Sequence, residues 1–277
     1  MITSDVPVRA GRDRDGSGRL GRRAFVRQLM GLPVSIHVRA DDPSRADIAA
    51  ASERVFAHLA RVDRVLSTWR ADSDLLRLQH GEIDVDEAHP WLADVVELCL
   101  EAEDRTEGLF RAWRSREGGR VVFDPLGLVK GWAVAAAAAH LDTVPGISWS
   151  VGAGGDVVVG AGRGMSGVEP VWRIGIEDPA DRTSVVDVVS LTRGAVATSG
   201  AAARGAHIVD PRTGRGLDHP GSATVIGPDL LWADVWATAA YVDATHADRL
   251  LRRHDPAYRL ITHRLGEEPR RAAAART

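Results

Sequence analysis

The segment ISWSVGAGGDVVV (residues 147–159) decides the fold class of this chain. Two short runs rich in β-branched and aromatic residues, 147–151 and 156–159, flank a cluster of glycines, a pattern typical of a β-hairpin. A dinucleotide fingerprint would need a third glycine where Val157 stands and a helix after it, and neither condition is met. The segment therefore favours antiparallel strands, although a glycine turn can also let a ligand approach the backbone closely.

Further periodic runs extend this pattern in both directions along the chain. Strands are predicted at 30–38, 171–176, 185–191, 206–209 and 222–226, mostly joined by Gly, Pro or Asp turns. Helices are predicted at 48–66, 90–104, 129–141, 234–242 and 247–253. Helices early and strands later predict an α+β fold with a largely antiparallel sheet and packed helices. We expect a single unit over 23–265, between a disordered leader (1–22) and a flexible tail (266–277).

Composition excludes several classes of protein. A net charge of −3 over 277 residues offers no electrostatic case for nucleic-acid binding. No apolar run reaches the ~18 residues of a membrane span. Cys99 is the only cysteine, which excludes an intramolecular disulfide and a thiolate metal cluster. Arg22-Arg23 resembles a twin-arginine export signal, but the run after it is a poor hydrophobic region, so we expect a cytoplasmic protein with export as a minor alternative.

Polar residues that can take part in catalysis or ligand binding cluster between residues 196 and 242. Thr198, Ser199, Arg204, His207 and Asp210 are expected around tight turns. Asp followed by Pro and then Gly is turn chemistry in its own right, so holding the turn is one sufficient explanation for Asp210. A histidine at His207 can accept a proton near neutral pH, or it can be a hydrogen-bonded structural residue.

Asp234 and Thr238 stand one helical turn apart, which places their side chains on the same face of a helix. Two hard oxygen donors at this spacing suit Mg²⁺ and a polyphosphate. Taken separately, Asp234 is equally well explained as a helix N-cap and Thr238 as a hydroxyl bonded back to the chain. The combination points to phosphate chemistry.

The stretch FDPLGLVKG (residues 123–131) runs from a loop into an alanine-rich helix. The N-terminus of a helix offers free N–H groups and a positive dipole end to a phosphate or carbonyl group. The alternative is a capped helix in which Asp124 accepts those N–H groups. Lys130 in this stretch is the only lysine among 35 basic residues, so arginine has not replaced it there.

In order along the chain, these segments resemble the ApbE-type FAD:protein FMN transferases, a family of magnesium-dependent flavin transferases. The resemblance covers roughly residues 30–242 and rests on several short motifs. These motifs are Met30-Gly31, Ser67-Thr68-Trp69, DSDL (72–75), DPLGLVKG (124–131), GGD (154–156), WRIGIEDP (172–179), TSG (198–200), HIVDPRTG (207–214) and Ala233-Asp234 with Thr238. The implied fold is a single α+β unit like that of the family, described as T-fold-like.

The resemblance also implies a role for each matching residue. FAD would be the substrate, and its contacts would be Met30, Trp69 (stacking on a ring), Phe110, Asp124, Lys130, Gly155, Asp156, Ser199 and Arg204. Magnesium would be held by the Gly127 carbonyl, Asp234 and Thr238. His207 would be the base that deprotonates a threonine of an acceptor protein, whose oxygen takes FMN through a phosphoester while AMP leaves.

Two departures from the family pattern lie near the expected ligands. Phe110-Arg111-Ala112 stands where the family has Phe-Asp-Pro, and three alanines (201–203) replace acidic and aromatic residues. Two alternatives therefore accompany the transferase prediction. One is a magnesium-dependent FAD pyrophosphatase that releases FMN and AMP, and the other is a non-catalytic flavin-binding or carrier module.

Overall fold

A computed structural model describes residues 20–115, 119, 121–165, 169–201, 205, 208–263 and 270–271. The described residues form twelve strands. In chain order these are β1 (Gly21–Leu29), β2 (Leu32–Ala40), β3 (Trp113–Ser115), β4 (Val121–Phe123), β5 (Ser148–Ala153), β6 (Asp156–Ala161), β7 (Trp172–Glu177), β8 (Val185–Leu191), β9 (Gly194–Gly200), β10 (Ser222–Gly227), β11 (Arg259–His263) and β12 (Arg270–Arg271).

Six α-helices and one 3₁₀ turn complete the secondary structure of the described residues. The helices are α1 (Ala46–Leu66), α2 (Asp74–His80), α3 (Pro90–Arg105), α4 (Leu126–Asp142), α5 (Leu230–Val242) and α6 (Ala244–His254), and the 3₁₀ turn is Val85–Glu87. None of the helices among these residues is long and apolar enough to cross a membrane.

Eight of the strands form one antiparallel sheet in the order β1-β2-β5-β6-β9-β10-β11-β12. Strand β2 alternates buried and more exposed residues, with Val34, Ile36 and Val38 facing inward. These side chains pack in one core with the apolar stripe of α1 and with α4 and α5, which lie on the same face of the sheet. This alternation is what a sheet with one covered face requires.

The β7–β8 hairpin covers part of the opposite face of the sheet. Ile176 and Val189 of the hairpin pack against Val196, Ile226 and Ile261 of strands β9, β10 and β11. The middle of the main sheet is therefore enclosed on both sides, and polar groups there must find partners within the protein.

The predicted α+β class and antiparallel sheet are confirmed, and each predicted helix is present with small shifts of its ends. Residues 154 and 155 form the turn between β5 and β6, with positive φ angles of 60° and 97°, so the predicted hairpin is also confirmed.

Some local predictions were wrong. Thr198 and Ser199 lie inside β9 and not around a turn, because Val196 to Gly200 continue the ladder with β10. Asp234 is not an N-cap: α5 begins at Leu230, and the Asp229 side chain caps it by accepting the Trp232 N–H. The short helix α2 and strands β1, β3, β4, β9, β11 and β12 were not predicted.

The predicted ends of the folded unit lie partly outside the described residues. Strand β1 begins at Gly21, so Arg22 of the twin-arginine-like pair belongs to the sheet and pairs with Arg39. Arg270 and Arg271 pair with β11 inside the range expected to be a tail. Half of the predicted strand at 206–209 is not described, and Val209 forms an isolated bridge with Gly216.

Candidate functional site

Three charged side chains meet where α4, α5 and β6 come together. The Nζ atom of Lys130 forms an ion pair with Oδ2 of Asp156 and lies 3.4 Å from Oδ1 of Asp234. Both carboxylates are buried, and the Lys130 side chain is 18% exposed. Charged groups are rarely buried unless they are paired, so this cluster of two carboxylates and one ammonium marks a specialised position in the core.

Asp156 is held in place by the backbone of β9. Its Oδ1 accepts the N–H of Thr198 at 3.1 Å. The backbone pairing between β6 and β9 ends at Val157 and Val196, so this hydrogen bond lies just beyond the end of the paired region. The side chain thus takes the place of a backbone acceptor in the ladder. Because one oxygen is fixed in this way, the other is directed toward Lys130.

Asp234 lies in the middle of α5, and its carboxylate is pressed against α4 at Gly131. A Cβ atom at Gly131 would lie 2.9 Å from the Leu230 carbonyl oxygen and 3.2 Å from Asp234 Oδ2. Only glycine therefore allows the two helices to approach this closely. Asp234 Oδ2 is buried and accepts no hydrogen bond from the residues that the structure describes.

Burial raises the pKa of Asp234 to about 7; the Lys130 ammonium opposes this rise and the Asp156 carboxylate adds to it. A carboxylate in such surroundings is favoured in its charged form by any further cation that binds beside it. A cation bound beside Asp234 would therefore lower the pKa of this carboxyl again.

Two pairs of hydroxyl groups, carried by β9, β10 and α5, lie near this cluster. The hydroxyl oxygens of Ser199 and Thr238 lie 3.2 Å apart, and those of Thr198 and Thr224 lie 2.9 Å apart. Thr238 follows Asp234 by one turn of α5, as the spacing predicted, so its hydroxyl lies on the same side of the helix as the carboxylate. Ser199 on β9 is thereby brought to the same site from a different element.

Gly127 lies in the first turn of α4, one turn before Gly131, so both glycines lie on the same side of that helix. A Cβ atom at Gly127 would lie 3.1 Å from the ring of Phe110, which is buried against it. Asp124 precedes the helix; its Oδ1 accepts the Leu126 N–H at 3.4 Å and its Oδ2 lies 3.6 Å from Arg114. Asp124 thus accepts one N–H of the first turn, as the alternative expected, although Pro125 occupies the N-cap position of α4.

The remaining residues of the predicted site are spread over separate elements. Met30, with φ of 54°, lies in the turn between β1 and β2 and packs partly against the core. Trp69 follows α1 and is 89% exposed, which leaves its ring open to a ligand. Arg204 and His207 lie outside the described residues. Arg111, noted as a departure from the family pattern, pairs with Glu103 at 2.9 Å.

The structure therefore brings together Lys130, Asp156, Asp234, Thr238 and Ser199, with Gly127 one turn along α4. Sequence reasoning missed Gly131, whose signal is the second glycine of an otherwise alanine-rich helix. Over the described residues, no three His, Cys, Asp or Glu side chains are placed to hold a metal ion. A cation here would need hydroxyl and carbonyl oxygens beside its carboxylate, a set that suits Mg²⁺.

The chain is similar to a known protein family, to curated proteins and to solved structures. A family model described as "ApbE family" matches residues 30–113 and 111–261. The chain is 29% identical to the FAD:protein FMN transferase of Klebsiella pneumoniae (strain 342), over 78% of this chain and 77% of that protein. Its fold is similar to the flavin transferase ApbE from Vibrio cholerae (TM-score 0.72, 21% identity, covering 91% of this chain and 97% of that one). It is also similar to the Pseudomonas stutzeri flavinyl transferase ApbE in its apo form (TM-score 0.72, 20% identity, 92% and 97%).

Proposed function

The chain belongs to the ApbE family, and from this membership we propose that it is a FAD:protein FMN transferase. The relative from Klebsiella pneumoniae carries that activity in its name and aligns with most of this chain. The buried cluster on α4, α5 and β6 supports the proposal, because Asp234 in this cluster and Thr238 one turn later on α5 offer a carboxylate and a hydroxyl, which are oxygen donors suited to a nucleotide-bound cation.

We propose Mg²⁺ as the cation, with Asp234, Thr238 and the Gly127 carbonyl as the residues that would hold it. The residues present fit this ion: Asp234 Oδ2 is buried without a hydrogen bond from the described residues, and the Thr238 hydroxyl lies one turn away. When bound, such an ion offsets charge on the phosphates. The buried Asp234 carboxylate, with the Thr238 hydroxyl one helical turn away, is the observation that most directly supports this assignment.

FAD is the proposed substrate. The exposed ring of Trp69 is suited to stacking on one of its aromatic rings, and Met30, Phe110 and Asp124 are the further proposed contacts. Lys130, Gly155, Asp156, Ser199 and Arg204 complete the set of proposed FAD contacts. Phe110 is buried against Gly127, so its contribution would be to shape the start of α4 and not to expose a ring.

The proposed reaction transfers FMN to a threonine of an acceptor protein. The threonine oxygen forms a bond to the phosphorus on the FMN side of the pyrophosphate, the bond from that phosphorus to the bridging oxygen breaks, and AMP leaves. We propose His207 as the base that accepts the hydroxyl proton. We further propose a cytoplasmic location for this reaction.

The proposal can be tested with the purified full chain, FAD, Mg²⁺ and the proteins encoded beside its gene as candidate acceptors. Transfer predicts that AMP appears only with an acceptor, together with a fluorescent acceptor band in a denaturing gel. Free FMN and AMP without an acceptor would mean that the chain is a pyrophosphatase. Bound but unchanged FAD in every reaction would mean that it is a carrier, and either result would overturn the proposal.

An Asp234→Asn variant tests the metal assignment within the same assay. We expect it to lose Mg²⁺-dependent AMP release by at least about a hundredfold, as when a preorganised electrostatic contact to the reacting charge is lost. Asp255→Asn is the matched control, since Asp255 pairs with Arg105 and Trp236 outside the cluster. Full activity in the Asp234 variant would remove this residue from the site.

A further inference from the structure

The cluster holds one more carboxylate than the proposed metal site uses. Asp156 is fully buried, and it shares the Lys130 ammonium with Asp234. The two contacts are unequal: Lys130 is in direct ion-pair contact with Asp156 Oδ2 but stands 3.4 Å from Asp234 Oδ1. Lys130 is therefore drawn toward Asp156 and away from Asp234.

We propose that Asp156 is a positioning residue for the cation site: it holds Lys130 on its own side and thereby leaves Asp234 free to bind a divalent cation. This inference rests on the proposed function, because it concerns the same Mg²⁺ site. It gives Asp156 a role toward the metal that differs from the FAD contact implied by family resemblance.

The charges of the cluster explain why the position of Lys130 matters. When both carboxylates are ionised, they and the ammonium leave a net charge of −1, which attracts a divalent cation. Without the Asp156 charge the cluster would be neutral, and the Lys130 ammonium would keep its contact with Asp234. An ammonium group paired with the carboxylate that binds the metal competes directly with the metal ion for that carboxylate. In a buried site, this electrostatic competition is only weakly screened by salt.

The backbone supports this division of roles. Asp156 Oδ1 is fixed by the Thr198 N–H at 3.1 Å, and Asp156 itself begins β6 directly after the glycine turn. Its second oxygen therefore has a defined direction. Asp156 Oδ2 and Asp234 Oδ2 are both buried without a hydrogen bond from the described residues, but only Asp156 Oδ2 is in direct ion-pair contact with Lys130, while Asp234 Oδ2 lies next to Gly131 on α4. One carboxylate anchors the lysine and the other retains an oxygen for a ligand.

Four forms of the full chain, prepared without FAD, test this inference: wild type, Asp156→Asn, Lys130→Met and the double variant. Their cluster charges would be −1, 0, −2 and −1. The probe is Mn²⁺ as a substitute for Mg²⁺, with unbound Mn²⁺ measured by electron paramagnetic resonance. The shift of the thermal midpoint with Mg²⁺ provides a second measurement that is independent of activity.

We expect Asp156→Asn to weaken Mn²⁺ binding on the order of tenfold or more, because one unit of attractive charge is lost next to the ion. Lys130→Met should strengthen binding, and the double variant should return toward the wild-type affinity. That return is the decisive result, since a merely structural role of Asp156 would leave the double variant as weak as the single one.

The outcomes separate this inference from the proposed function. If the wild type binds neither Mn²⁺ nor Mg²⁺, the metal assignment itself is overturned, and this inference with it. If the wild type binds but Asp156→Asn binds equally well, or the double variant is not restored, only the role of Asp156 is overturned. Asparagine keeps an oxygen for the Thr198 N–H; should that variant still not fold, Lys130→Met alone decides, because unchanged or weaker binding would contradict the inference.

Discussion

Gly131→Ala is the substitution whose effect on stability the structure specifies most closely. A methyl group at this position would meet the Leu230 carbonyl oxygen at 2.9 Å and Asp234 Cβ at 3.0 Å. Both atoms belong to the tightly packed α5, so relief requires the two helices to move apart. Overpacking of this kind costs about 1–3 kcal/mol.

Helix propensity acts in the opposite direction, because alanine in a helix interior is favoured over glycine by about 1 kcal/mol. The contact with backbone atoms places the clash toward the upper end of its range, so we expect a net loss of about 2 kcal/mol. This corresponds to a decrease of about 5 °C in the thermal midpoint of a chain of this size.

Urea unfolding followed by tryptophan fluorescence measures this loss directly. Ala139→Gly is the matched control, since Ala139 is exposed on the same helix and reports the propensity effect alone. We expect the control to lose about 1 kcal/mol with unchanged Mn²⁺ binding. If Gly131→Ala is as stable as the wild type or more stable, then α4 and α5 are not in close contact at Gly131. The Asp234 carboxylate is then not packed against α4.

Two further predictions concern groups outside the cluster. Burial raises the pKa of the Cys99 thiol to about 12, and the charges of Asp124 and Glu103 add to the rise. The native chain should therefore resist iodoacetamide at pH 8 and react only after unfolding. Rapid labelling of the native chain would contradict this prediction. Hydrogen bonds from Arg212 lower the pKa of Asp210, so the stability that this carboxylate contributes is present above its unfolded pKa and lost as the pH falls through its lower folded value. Urea unfolding should therefore show a smaller loss of stability between pH 7 and pH 3 in Asp210→Asn than in the wild type, and equal losses would exclude this contribution.

The helices were predictable because their signal is local. The apolar stripe of α1 repeats every three or four residues, and Pro90 marks the first turn of α3, so both of these helices are visible without knowledge of their neighbours. Strand β9 was missed for the opposite reason. Its sequence, GAVATSG, has too many small residues to indicate a strand, and it becomes one because β6 and β10 pair with its two edges.

The candidate site, too, was predictable from the sequence only in part. The spacing of Asp234 and Thr238 on one helical face follows from the geometry of a helix and was predicted from the sequence. The position of Asp234 within α5 was not, because Asp229 supplies a better cap one turn earlier.

The fold class, five of the six helices among the described residues, the glycine turn before β6 and the pairing of Asp234 with Thr238 on one helical face could be predicted from the residues alone, since each depends on near neighbours in the chain. Tertiary structure alone decided that Lys130, Asp156 and Asp234 share one buried cluster. They come from three separate elements, and their contact depends on how closely α4 can approach α5 and on where the ladder between β6 and β9 ends. No local pattern encodes either distance.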